Sequence, residues 1–123
     1  MSNPSPSDLE IYVLKSPADN VRQWLADTLG AVEVVKSGKG SHHWRVAGMD
    51  VFYNEQVEAN FSCLWFKQNQ TPWSNDLECA RSAHAALETE IRCAAVQWAE
   101  SENDDQPGWV KITRGQEKPF DWN

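Results

Sequence analysis

The chain has 123 residues, 41% of them hydrophobic, and a formal net charge of −7. These values are typical of one globular domain with its own core, and they exclude a disordered chain. The acidic balance and the lack of a basic stripe argue against nucleic-acid binding, and no apolar run is long enough to span a membrane. Cys63, Cys79 and Cys93 are odd in number and form no C-x-x-C pair. They favour reduced thiols and a cytoplasmic location over a disulfide framework.

The first half of the chain predicts a strand, a helix and three more strands. Residues 1–7 are rich in Ser and Pro and predict a flexible lead-in. Residues 8–16 predict a strand, and the helix that follows has Ser16 as its cap and Pro17 at its first position. This helix stops at Gly30. Further strands are predicted at 31–36, 41–47 and 50–55, with glycine turns between them.

The second half predicts the same order of elements. Residues 60–68 predict a strand that is buried on both faces, and a helix follows from about Asp76. We favour an end of this helix near Glu88, because "EIRCAAV" (90–96) can serve as a strand, although the apolar stripe could run on through Ile91. A solvated acidic loop then leads to strands at 109–114 and 118–123.

Two matching phrases support a duplication. "WRVAGMDVFYN" (44–54) and "WVKITRGQEKPFDWN" (109–123) each run from a Trp through a Gly turn to an aromatic residue and Asn. We therefore predict an α+β fold with two βαβββ modules, 8–55 and 60–123, inside a single domain over residues 8–123. The modules would build a curved mixed or antiparallel sheet with two main helices.

This arrangement, with "SPADNVRQWLADTLGAVEV" (16–34) as first helix and exit, resembles the vicinal-oxygen-chelate superfamily of glyoxalase I, bleomycin-resistance proteins and extradiol dioxygenases. The resemblance implies a curved sheet that encloses a cleft. In the metal enzymes of the family, each module supplies one ligand from its first strand and one from its last. The matching positions here hold no histidine and leave Glu55 and Asp121 as a weak metal pair. The resemblance therefore implies a binding protein without metal.

Other reactive residues have simpler explanations. His42 and His43 are adjacent on a predicted strand, so they point to opposite faces and cannot chelate one ion together. His84 lies on the apolar stripe of the second helix, where we expect a hydrogen-bonded structural histidine. The sequence places no base beside the cysteines, so we expect buried, inert thiols. The acid run of residues 100–105 lacks the glycine of a calcium loop, and no G-x-S-x-G elbow occurs.

The strongest candidate site is a set of aromatic residues on the predicted strands. If these side chains line one side of a sheet, they would stack on a flat or apolar ligand, and an arginine at the rim would hold an acidic group. The alternative is that they fill the core. The ligand-binding candidates are Trp44, Tyr53, Trp65, Trp109 and Trp122, with Arg45 and Arg114.

These observations predict a small soluble binding or interaction module with no cofactor. Its expected partner is a small apolar or aromatic ligand, or a basic protein that the acidic surface attracts. Two alternatives stay open. One is a metal-dependent enzyme of the vicinal-oxygen-chelate type that uses Glu55 and Asp121, and the other is an inhibitor of a protein partner. The sequence does not determine the oligomeric state.

Overall fold

The computed structural model describes residues 8–58, 60–94 and 108–120. These residues form two helices and eight strands. The helices are α1 (Ala18–Leu29) and α2 (Asp76–Leu87). The strands are β1 (Leu9–Leu14), β2 (Val32–Gly38), β3 (Ser41–Val46), β4 (Met49–Glu58), β5 (Phe61–Lys67), β6 (Ile91–Ala94), β7 (Trp109–Thr113) and β8 (Gln116–Phe120). Their order along the chain is β1-α1-β2-β3-β4-β5-α2-β6-β7-β8.

The eight strands form a single sheet in the order β2-β3-β4-β5-β1-β6-β7-β8. Each neighbouring pair is antiparallel. The prediction of two βαβββ modules is therefore wrong. β5 lies between β4 and β1, and β1 pairs on its other side with β6. The first strand of each predicted half therefore pairs with strands of the other half, β1 with β6 and β5 with β4. Neither half forms a separate sheet.

The two central strands, β1 and β5, carry apolar side chains on the face that packs in the core. Leu9 lies opposite Phe66, and Ile11 lies opposite Leu64. All four side chains are at most 1% exposed. Burial of such residues removes apolar surface from water, at about 25 cal/mol per Å², and is the main driving force for folding. The pairing of β1 with β5 is thus both the topological link and the centre of the hydrophobic core.

The separate elements lie close to their predicted positions. α1 begins at Ala18, but Pro17 and not Ser16 is its N-cap, and no side chain caps it. α2 ends at Leu87, because Glu88 takes a left-handed conformation (φ 55°) and its N–H bonds the last turn. β6 follows at Ile91, which is the favoured alternative. The predicted lead-in, the acid run and the end of the last predicted strand lie outside the described residues.

Two of the predicted glycine turns are tight hairpins. Ala47 and Gly48 have φ values of 52° and 78°, and Arg114 and Gly115 have φ values of 53° and 76°. Two consecutive positive φ angles are the mark of a type I′ turn, whose twist fits the twist of antiparallel strands. These turns join β3 to β4 and β7 to β8, and they fix the register of both hairpins.

Both helices pack on the same face of the sheet. α1 contacts β2 and β3, α2 contacts β1, β6 and β7, and the helices touch each other. Trp24 of α1 stacks on Trp73 at 5.4 Å and donates its Nε1–H to Ser82 Oγ of α2 at 3.1 Å. The opposite face carries neither helix. We call this side the open face, and the strand side chains that alternate with the core residues lie on it.

In the part of the chain that the structure describes, no helix combines the length and the apolar character that crossing a membrane requires.

Replacing Leu64 by Ala should lower the free energy of unfolding by about 2–5 kcal/mol, because the side chain is fully buried at the centre of the sheet. The matched control is Val34→Ala on the edge strand β2, where Val34 is 47% exposed and we expect a change of about 0.5 kcal/mol or less. Urea denaturation gives both values. Equal losses in the two variants would contradict the described position of β5.

Candidate functional site

A row of three rings crosses one half of the open face. His43 of β3, Phe52 of β4 and Trp65 of β5 lie opposite one another in the strand register. The ring centroids of His43 and Phe52 are 4.4 Å apart, and those of Phe52 and Trp65 are 5.2 Å apart, with interplanar angles of 18° and 29°. We call these residues the aromatic row. Because each ring covers its neighbour, the row presents ring edges to solvent, and ring edges carry partial positive charge.

Carboxylates hold both ends of the aromatic row. Asp50 Oδ1 accepts hydrogen bonds from His43 Nε2 at 2.9 Å and from Arg45 at 3.0 Å. The His43 hydrogen bond, followed by the Arg45 one, keeps the pKa of Asp50 below its ordinary value. At the other end, Trp65 Nε1 donates to Asp8 Oδ2 at 3.0 Å. These bonds fix the orientations of the His43 and Trp65 rings. The Arg45 side chain remains half-exposed.

The predicted aromatic site residues do not share one surface. Trp44 and Tyr53 are 1% and 0% exposed and belong to the core under the helices. Trp65 and Trp109 lie on the open face, where each is partly exposed. Trp122 lies outside the described residues. The division follows from alternation along each strand, because Trp44 and His43, or Tyr53 and Phe52, must point to opposite faces.

The two predicted arginines lie apart. Arg45 flanks the aromatic row, as described above. Arg114 lies in the β7–β8 turn and lines a cavity of about 480 Å³ next to the end of α2. This cavity also contains His84, whose Nδ1 donates to the Thr89 carbonyl at 2.9 Å and whose Nε2 accepts from the Gly115 N–H at 3.0 Å. His84 therefore ties α2 to that turn, as expected for a structural histidine.

A second row, made of cations, crosses the other half of the open face. Arg92 of β6 lies opposite Lys111 of β7, and Lys111 lies opposite Lys118 of β8. The Arg92 guanidinium lies 4.7 Å from the Phe120 ring centroid, and Lys111 Nζ lies 5.5 Å from it. We call Arg92, Lys111 and Lys118 the basic row. The pairing of Lys111 with Lys118 could have been predicted from the sequence. Both lysines lie three residues from the two-residue turn at Arg114 and Gly115, so a hairpin places them opposite each other.

The open face as a whole has a different charge from the chain. Six of the eleven Lys and Arg residues point to it from the strands, against three acids among the strand side chains that the structure describes. The bases are Lys36, Arg45, Lys67, Arg92, Lys111 and Lys118, and the acids are Glu10, Glu33 and Asp50. Asp8 and Glu90, which flank the strands and bond Trp65 and Arg92, add two more acids to this face, so its described charge is close to neutral in a chain with a net charge of −7.

The predicted weak metal pair has no support in the described geometry. Glu55 Oε2 lies 2.7 Å from His42 Nε2, so the carboxylate has a hydrogen-bond partner already. Asp121 lies outside the described residues. Within the described ranges, no group of three or more His, Cys, Asp or Glu side chains is placed to hold a metal ion.

The three cysteines are thiols with high pKa values. Burial, followed by the hydrogen bond to Glu10, raises the pKa of Cys63 to about 12. Burial also raises the pKa of Cys93 to about 12 and that of Cys79 well above its ordinary range. Cys63 Sγ donates to Glu10 Oε2 at 3.2 Å, and this bond stabilises the protonated form. Because the thiolate is the nucleophile, none of these side chains suits nucleophilic catalysis at neutral pH.

At pH 8, iodoacetamide should alkylate Cys63 about 10³-fold more slowly in the folded protein than in the urea-unfolded chain, because a pKa of about 12 leaves little thiolate. The rate should rise with pH toward 12 while the fold persists. Peptide mass spectrometry of timed samples measures both rates. Alkylation of folded Cys63 at the rate of a free thiol would show that its environment is wrong.

No family model, curated protein or solved structure matches the chain. The resemblance to the vicinal-oxygen-chelate superfamily therefore stays an expectation from the sequence. Function has to be inferred from the chemistry of the described surfaces.

Proposed function

We propose that this protein is a binding module whose open face docks an acidic protein partner. The observation that carries the proposal is the basic row, in which Arg92, Lys111 and Lys118 lie directly opposite one another on three adjacent strands. Neighbouring strands are about 4.8 Å apart, and like charges directly opposite each other destabilise a sheet. Carboxylates from a partner would relieve this repulsion.

The aromatic rings under the basic row hold the cations in place. The Arg92 guanidinium lies 4.2 Å from the Phe61 ring centroid as well as over Phe120, and its Nε donates to Glu90 at 2.8 Å. Cation–π contacts of this kind contribute about 0.5–2 kcal/mol each. Arg92 and Lys111 are thus preorganised, and they lose little side-chain entropy when they bind carboxylates.

The width of the open face favours a protein over a small molecule. Seven steps of about 4.8 Å between eight strands span about 34 Å, which is the scale of a protein interface. The aromatic row supplies apolar and polar contacts at one side, and the basic row supplies charge at the other. Arginine and aromatic side chains are the residues that most often dominate binding energy at such interfaces.

The other predicted occupants have less support. A flat ligand would meet the edges of the aromatic row and not an open ring face, since His43, Phe52 and Trp65 cover one another. A basic protein that docked on the open face would be repelled by the Lys and Arg side chains of this face. A metal-dependent enzyme would need Glu55, which is bonded to His42.

A cytoplasmic location belongs to the same proposal. Cys63, Cys79 and Cys93 are all free thiols. Two of the three are buried, and free thiols are stable in a reducing compartment.

Replacing both Lys111 and Lys118 by Ser should weaken binding of poly-L-glutamate about tenfold at 50 mM NaCl, because the basic row loses two of its three charges. The matched control replaces Lys15 and Lys39, which are exposed lysines outside the strands, by Ser. It removes the same charge and should change the Kd less than about twofold. Isothermal titration calorimetry measures each Kd.

Binding by the unmodified protein should also weaken as salt rises toward 0.5 M, since exposed charges are screened. Equal weakening in the two double variants would show a nonspecific effect of net charge and would contradict the proposed site. Failure of the unmodified protein to bind the polyanion at low salt would also contradict it.

A further inference from the structure

A serine, a histidine and a glutamate form a hydrogen-bonded chain on the helix-covered side of the sheet, away from the open face. Ser37 Oγ of β2 lies 3.2 Å from His42 Nδ1 of β3, and His42 Nε2 lies 2.7 Å from Glu55 Oε2 of β4. A carboxylate can only accept, so in the neutral imidazole the ring proton lies on Nε2. Nδ1 is then the acceptor for the Ser37 hydroxyl proton, which is the protonation state that a general base requires.

The His42 ring is held by more than its two hydrogen bonds. Its centroid lies 5.8 Å from that of Trp44 and 6.2 Å from that of Tyr53, with interplanar angles of 31° and 28°. The His42 side chain is only 13% exposed. Nucleophilic triads also hold their base by packing and by a carboxylate, but here the serine bonds Nδ1 and the carboxylate bonds Nε2, the reverse of the serine-protease order.

Irregularities in the sheet flank this cluster. The register of β2 against β3 shifts between Val34 and Lys36, just before Ser37. The register of β4 against β5 shifts between Asn54 and Glu58, where Glu55 lies. Such bulges redirect side chains and are frequent next to active sites. They bring Ser37 and Glu55 to the two nitrogens of one imidazole.

A cavity opens beside the nucleophile and the base. It has a volume of about 170 Å³, and its walls include Ser37, His42, Val34, Trp44 and Arg22. Val34 and Trp44 give it an apolar side. Arg22 and Asp19 of α1 also line the cavity and pair with each other, so its wall carries a cation next to a carboxylate. A cavity of this size holds about five or six water molecules and therefore suits a short acyl group.

We propose that Ser37, His42 and Glu55 form an acyl-transfer site that hydrolyses esters of small apolar carboxylic acids. Ser37 Oγ bonds to the carbonyl carbon while His42 Nδ1 takes its proton, and Arg22 stabilises the oxyanion. The C–O bond to the alcohol then breaks, and His42 returns the proton to that alcohol. Water attacks the acyl-Ser37 ester with His42 again as base, and the acid leaves as Ser37 recovers its proton. Glu55 orients the imidazole and stabilises its cation throughout.

This inference does not depend on the proposed docking of an acidic partner, since the two sites lie on opposite faces. The sequence contains no strand-turn-helix nucleophile motif, and Ser37, His42 and Glu55 come from three separate strands. The adjacent histidines do point to opposite faces, as predicted, with His43 on the open face and His42 against the core.

The test is covalent labelling of the full chain by a fluorophosphonate, followed by intact-mass and peptide analysis. We expect one phosphonyl adduct on Ser37, no adduct in Ser37→Ala, and labelling slowed about 10²-fold or more in His42→Gln. The matched control is Ser41→Ala. Ser41 is on the same hairpin, but its hydroxyl bonds Asn54 on the open face, so labelling should not change.

Hydrolysis of p-nitrophenyl butyrate supplies a second measurement. The rate should fall to the level of buffer in Ser37→Ala and by about tenfold or more in Glu55→Gln, with Ser41→Ala unchanged. Far-UV circular dichroism identifies any variant that has lost its fold, and Ser37→Ala, at an exposed position, is the decisive one. An unlabelled Ser37 in the folded protein, or equal hydrolysis by the protein and Ser37→Ala, would overturn the proposal.

Discussion

The pairing of β1 with β5 is the constraint on which the rest of the structure depends. It places Leu9 and Ile11 against Phe66 and Leu64 in the middle of the core and joins the first strand of the described chain to a strand near its middle. β2, β3 and β4 attach to one side of this pair, and β6, β7 and β8 attach to the other. If the pair separated, the sheet would divide into two four-stranded halves, and the apolar surface buried at the centre would be exposed to water.

The same pairing creates two faces with different chemistry. One face is covered by α1 and α2 and holds the core, and its rim carries the Ser37–His42–Glu55 cluster next to a small cavity. The open face holds the aromatic row and the basic row on opposite halves of one sheet. The proposed binding surface and the proposed acyl-transfer site are therefore physically separate, and each can be tested by variants that leave the other unchanged.

The sequence predicted most of the local structure, because local structure depends on nearby residues. Alternation predicted β1, and the weak helix propensity after Glu88 predicted the end of α2. The order of the strands was not predictable in this way. The contact of Leu9 with Phe66 joins distant parts of the chain, and two similar phrases suggested a repeat instead of an exchange of first strands. The aromatic set combined residues from both faces of the sheet, so the ligand-binding candidates include Trp44 and Tyr53, which fill the core as the alternative interpretation has it.

The most direct test of this architecture is a set of backbone nuclear Overhauser effects in the isotope-labelled full chain. The structure predicts cross-strand contacts from Ile11 to Leu64 and from Tyr12 to Cys63, together with contacts from Tyr12 to Arg92. A chain with two separate βαβββ modules would instead bring β1 next to β4. Cross-strand contacts between β1 and β4, with none between β1 and β5, would contradict the single sheet and both faces that follow from it.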